Sequence, residues 1–228
     1  MNTVLLILLA IIPALLVCFF IIQADKHERE DKIQLLLALL AGALITIPAF
    51  YIEAAAHNAG WDDGHDIQKT LLFSFVAIGG VEELFKVLAL VFLFYPRKFF
   101  NEPFDGILYA VIIGMGFALV ENLLYAFRLG DFPNLLVRAF TAVPAHASFG
   151  IIFGYFAGKA KFDSSMPWRR LLIGFLIAAL VHGAYDFFIL YESFEWLGGL
   201  ALVCLFLSIY YSRKLIKIHQ ENSPFSQV

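Results

Sequence analysis

Seven runs of roughly 20 apolar residues, joined by short polar connections, limit this chain to few folds. A run of that length, wound as a helix, crosses a hydrocarbon core about 30 Å thick. Inside that core the backbone must satisfy its own hydrogen bonds, which leaves helices or closed barrels. The runs cover residues 3–22, 33–56, 70–95, 104–127, 134–158, 168–190 and 196–212. The expected fold is all-α, a polytopic transmembrane helix bundle of about seven spans. Composition agrees: 61% of residues are hydrophobic and 15% charged, against about a quarter charged in soluble domains. No low-complexity linker divides the chain. It is expected to form one integral membrane domain over residues 1–228, with a short polar cytoplasmic tail from about residue 213.

The first run has no basic residue before it, so it is read as a retained helix and not a cleaved signal. Cys18 and Cys204 lie inside apolar runs and are read as small buried hydrophobes. A net charge of −3 offers no nucleic-acid surface. Loop cations set the orientation. One side collects Lys26, Arg29, Lys32, Arg97, Lys98, Lys159, Lys161, Arg169, Arg170, Arg213, Lys214 and Lys217, the other only Lys69, Arg128 and Arg138. The N-terminus is therefore expected outside and the C-terminus in the cytoplasm.

Ionisable residues at bilayer depth are the functional signal, because a charge at mid-span costs about 2.5–3.5 kcal/mol to insert. Glu82, Glu83 and Lys86 share one face of the third run at i, i+3 and i+4 spacing. One lysine cannot neutralise both acids, so simple pairing leaves a carboxylate available as a general base. Glu121 and Asn122 follow Gly114 and Gly116, which permit close helix approach. His146 follows Pro144, which frees a backbone carbonyl four residues earlier. His182 and Asp186 are i, i+4, a spacing at which a carboxylate can orient an imidazole. Gly150, Gly154 and Gly158 read as a helix-packing stripe, and Glu53, near the end of its run, as an inexpensive interfacial acid. Under the expected orientation the group lies at or outside the midplane.

This inventory can activate water, protonate a leaving amine and stabilise an oxyanion. It could also ligate a divalent metal such as Zn2+ through His146, His182, Glu121 and Glu83. A proton- or ion-coupled transporter would use the same residue types, and so would a scaffold that keeps them only for assembly.

The ordered motifs Glu-Glu-x-x-Lys at 82–86, Phe-x-x-x-Glu-Asn at 117–122 and His-x-x-x-Asp at 182–186 come with Phe104-Asp105-Gly106 and Pro144-Ala145-His146-Ala147. Across residues 70–186 this resembles the PrsW family of bacterial intramembrane proteases, relatives of the CAAX prenyl endopeptidases. The resemblance implies an integral protein of the bacterial plasma membrane that cleaves a membrane-anchored substrate, such as a single-span anti-sigma factor. It implies that Glu82 and Glu83 are the essential glutamates and His182 the essential histidine, with catalysis glutamic or metal-dependent. Asp186 stands where wider relatives carry Asn beside the oxyanion, a place where a carboxylate would repel the intermediate, so its expected role is to orient His182. In the mechanism this suggests, Glu82 or Glu83 activates water, Lys86 tunes it, and His146 with His182 polarises the carbonyl. Glu121 and Asn122 complete the polar wall.

Overall fold

A computed structural model describes residues 3–225 except 164 and 195, and among them there is no strand. The order is α1 (Thr3–Ala24), α2 (Lys32–Asn58), α3 (Ile67–Leu72), π1 (Phe73–Gly80), α4 (Val81–Ala89), π2 (Leu90–Phe94), α5 (Pro103–Leu129), α6 (Phe132–Phe140), α7 (Ala142–Phe162), α8 (Pro167–Leu190) and α9 (Leu197–Glu221). Local chemistry marks the ends. Asp31 and Asp66 accept the first free N–H groups of α2 and α3. Pro103 opens α5, and Gly130 closes it at φ 58°.

Six helical spans are long and apolar enough to cross a membrane, with α6 and α7 counted together. The run expected over 70–95 differs in construction. It is a rod of four consecutive segments, α3, π1, α4 and π2, with no non-helical residue between them. The wider i→i+5 turns of π1 end one residue before α4, which carries Glu82 and Glu83; such turns recur at functional sites. The span expected as one helix over 134–158 is broken at Thr141, whose backbone leaves the helical region. Pro144 explains the break, since its ring cannot tolerate the helical carbonyl of Phe140. The expected tail from residue 213 is also helical for its first half, because α9 runs on to Glu221.

α5 is the axis of the bundle. Phe104, Ile107, Leu108, Tyr109, Ile113, Met115 and Phe117 along it are all essentially inaccessible. Between membrane helices, lipid removes most of the hydrophobic drive, so small residues that allow backbone contact decide the packing. The glycine stripe of α7 does this against α5: Gly150 lies on Ala110, Gly154 on Gly106 and Gly158 on Pro103. Gly42 and Gly116 bring α2 and α5 together in the same manner. Large side chains such as Phe20, Leu44, Phe92, Trp168 and Phe206 point outward, toward the lipid.

One further glycine contact bears on function. A Cβ on Gly79 would lie 2.7 Å from Gly183 N and 2.8 Å from Ala179 O, so π1 and α8 meet backbone to backbone. Gly183 follows His182 in the chain, and Gly79 lies one turn before Glu82 and Glu83. Gly79→Ala and Gly183→Ala are therefore each expected to lower stability by about 1–3 kcal/mol. They should also reduce activity, whereas Gly198→Ala, with nothing within 4 Å of its added carbon, should change neither. Thermal melts of detergent-solubilised protein check the first expectation.

Candidate active site

The ionisable residues converge from four helices. α4 supplies Glu82, Glu83 and Lys86, α5 supplies Glu121 and Asn122, α7 supplies His146, and α8 supplies His182 and Asp186. Glu82, Glu83, Lys86, Asn122, His146 and His182 are all buried.

Lys86 sits at the centre. Its ammonium donates to Glu82 Oε2 at 3.0 Å and Glu83 Oε1 at 2.8 Å, and it lies 3.1 Å from His146 Nδ1. An ammonium has three protons and no lone pair, so His146 Nδ1 must accept the third. That assigns the tautomer: His146 carries its proton on Nε2 and donates to Glu121 Oε2 at 3.0 Å. Phe117 places its ring 4.3 Å below the ammonium, a cation–π contact that adds to its stabilisation.

His182 closes the other side. Its Nδ1 is 2.9 Å from Glu83 Oε1 and its Nε2 is 3.1 Å from Asp186 Oδ2. The Asp186 oxygen has no aligned hydrogen bond, so the contact is one of charge. Phe149 stacks on the imidazole at 4.5 Å and fixes its plane. Glu82 Oε2 is 3.9 Å from His146 Nδ1 and equally 3.9 Å from His182 Nε2.

Arg138 lies within the run expected over 134–158 but reads in the sequence only as one of the orienting cations and not as a site residue. It belongs to α6, and its Nη2 meets Glu121 Oε1 at 2.7 Å while its Nε donates to Asn122 Oδ1 at 2.8 Å. Its guanidinium also stacks on Tyr125 at 3.9 Å. A signal was present: Arg138 is the one charge in the nine residues of α6. Glu53 was likewise read as a peripheral acid, but it lines the same cavity.

That cavity, of about 350 Å³, is walled by Glu53, Glu82, Glu121, Arg138, His146, His182, Tyr185 and Asp186 among others. Glu83 and Lys86 are not on its wall. A second space of about 500 Å³ shares Glu53, Glu121 and Tyr125 with it.

Glu82, Glu83, His146 and His182 each offer one donor atom, all within 4.8 Å of one another. Two imidazoles and two carboxylates suit a Zn2+-like ion. Glu121, expected among the ligands, lies outside this set, because Arg138 and His146 hold its two oxygens. Three donors of the set face Lys86, so an ion and the ammonium compete for them.

Residues 30–212 match the family model described as PrsW family intramembrane metalloprotease. The Protease PrsW of Clostridioides difficile (strain 630) is 34% identical over 220 residues, covering 94% of this chain and 90% of the relative. That of Oceanobacillus iheyensis is 33% identical over 205 residues, 90% and 92% of the two chains. That of Bacillus subtilis (strain 168) is 29% identical over 215 residues, 93% and 94%. No solved structure matches.

Arg138 and Glu121 are half-buried, so removing the guanidinium strands a carboxylate that solvent only partly reaches, at a cost below the ~3–5 kcal/mol of a fully buried pair. Arg138→Ala should therefore cut cleavage at least 100-fold and lower the melting temperature. Arg138→Lys should recover only part of each, since a point charge cannot hold both Glu121 and Asn122. Cleavage kinetics and melts on the two variants check this.

Proposed function

The chain belongs to the PrsW family of intramembrane proteases, and on that premise we propose that Glu82 is the general base with which it hydrolyses its substrate. The protein is a peptidase and a multi-pass integral protein of the bacterial membrane. The transporter reading has no support among its relatives. One observation carries the assignment: Glu82 lies on the cavity wall, 3.9 Å from each imidazole, while Glu83 is turned away to Lys86 and His182.

In this mechanism a water in the cavity gives its proton to Glu82 and attacks the scissile carbonyl. Lys86, fully engaged by its three acceptors, fixes the carboxylate in place and balances its charge. His182, held at Nδ1 by Glu83 on its far side, donates its Nε2–H to the developing oxyanion in place of the contact with Asp186 Oδ2 that orients the ring beforehand. The proton on Glu82 then passes to the leaving amine. His146 and Arg138 hold Glu121 and Asn122 as the rear wall. Glu83 and Lys86 are positioning residues.

Glu82, Glu83, His146 and His182 would hold a divalent ion such as Zn2+; when bound, such an ion polarises a carbonyl and acidifies water. The place of Lys86 among the same donors favours the metal-free route.

The bundle is read with seven spans, the rod from α3 to π2 being the seventh, and with the N-terminus outside. The cavity gathers residues near the last turns of α2, α5 and α8, together with α6. These are the ends that the sparse side of the cation count assigns to the exterior. Cleavage near the extracytoplasmic face of a substrate helix follows, and a single-span anti-sigma factor is a substrate of the right form.

Glu82→Gln is expected to lower the cleavage rate of a tethered single-span substrate by about 10²–10⁴-fold, the usual worth of a general base. Glu83→Gln should lower it less and should also destabilise the protein. Wild-type rates in Glu82→Gln would sink the assignment. Purified enzyme treated with chelator should keep its activity on the metal-free route, and loss of activity together with measured bound metal would establish the other.

A further inference from the structure

At the opposite end of α5 five carboxylates meet with little to balance them. Asp25, Glu28 and Glu30 come from the α1–α2 loop, and Glu102 and Asp105 from the start of α5. Asp105 and Glu121 are 16 residues apart on one helix, about 24 Å, so this group is separate from the active site.

The α1–α2 loop sorts its side chains by sign. Asp25 is buried and Glu28 and Glu30 are half-buried, while Lys26, His27, Arg29 and Lys32, interleaved with them, all face outward. Such a loop could pair its own acids with its own bases, and it does not.

Few donors reach the acids: Glu102 accepts from the Asp105 N–H and the Ser223 hydroxyl. Asn101 Nδ2 donates to Glu28 Oε1 at 3.2 Å, Tyr109 OH donates to Glu30 Oε2, and Asp105 Oδ2 accepts the N–H groups of Asn101 and Glu102 at 2.6 and 2.8 Å. The ammonium of Lys161, on neighbouring α7, is engaged by the carbonyls of Tyr95 and Arg97.

The remaining oxygens are left over. Asp25 Oδ1, Glu28 Oε2, Glu30 Oε1, Asn101 Oδ1 and Asp105 Oδ1 are buried without a hydrogen-bond partner, and Asp105 is 0% exposed. Buried polar atoms normally find partners, and several orphaned acceptors in one place, some of them carboxyl to carboxyl, call for a cation or shared protons between them. Glu28, Glu102 and Asp105 each offer a ligand oxygen within 4.8 Å of the others. Burial and then the neighbouring acids push Asp25 up to about 7, and burial raises Glu30 and Glu102 as well.

We propose that this cluster is a second cation site, in which Glu28, Glu102 and Asp105, assisted by Asn101, bind a hard divalent ion of the Mg2+/Ca2+ class. An all-oxygen set with an amide carbonyl and several carboxylates is what such ions take, and it lacks the imidazole or thiolate that would recruit Zn2+. The ion ties the α1–α2 loop to the first turn of α5 and so fixes the end of the central helix away from the chemistry.

The test uses the whole protein, chelated and then titrated with Tb3+, whose luminescence Tyr109 can sensitise. One saturable site is expected, displaced by Mg2+ or Ca2+; which of the two displaces it at lower concentration identifies the occupant. Glu28→Gln combined with Glu102→Gln should weaken Tb3+ at least tenfold, while Glu82→Gln combined with Glu83→Gln should leave it unchanged. Millimolar Mg2+ or Ca2+ should raise the melting temperature by about 5 °C in the wild type and not in the first double variant. Tb3+ that neither ion displaces, or that is lost with Glu82 and Glu83 instead, overturns the proposal. So does a melting temperature that ignores both ions but rises in metal-free buffer when Glu28 and Glu102 are neutralised, because the cluster is then held by protons.

Discussion

The Lys86 ammonium is the interaction on which the catalytic half of the bundle depends. It spends its three protons on Glu82, Glu83 and His146, drawing two helices onto one charge. Without it, two carboxylates one residue apart would share a low-dielectric site, where their repulsion and desolvation together would favour neutral acids. The contact also transmits order. By accepting from Lys86, His146 must present a proton to Glu121, and Glu121 in turn holds Arg138 on α6. A single side chain thus sets a tautomer, an ion pair and the approach of a short helix.

That network can close only because backbones approach one another. The Gly79–Gly183 crossing brings π1 and α8 to contact, and Glu83 then reaches His182 at 2.9 Å. With Cβ atoms in between, the Glu83–His182 contact would lengthen. Packing and chemistry are in this sense the same constraint, expressed through glycine.

Much of this was legible in the sequence, for a physical reason. Hydrocarbon penalises charge so strongly that every acid, base and imidazole at mid-span announces itself. Glu82, Glu83, Lys86, Glu121, His146, His182 and Asp186 were all found that way. Arg138 and Glu53 were not, because both lie near predicted span ends, where charges are cheap and carry little information. The π turns of the rod from α3 to π2 were invisible too, since they leave no apolar period of their own. The roles of Glu82 and Glu83 became distinct only in three dimensions, where one lines the cavity and the other does not. The acids of the α1–α2 loop alternate with bases along the chain, so they read as ordinary polar loop until the fold turns one sign inward.

The glycine contacts between α5 and α7 also have a mechanical meaning. Two backbones touching at Gly106 and Gly154, and again at Ala110 and Gly150, form a seam that cannot widen a little at a time. It stays closed or it is lost along its whole length. A protease that admits a substrate segment from the lipid must therefore yield elsewhere. Along α6, by contrast, no glycine contact of this kind joins the cavity wall to its neighbours among the described residues. The bundle thus carries Glu121 and His146 on a stiff spine, and the short α6 is held to it through the Arg138 side chain.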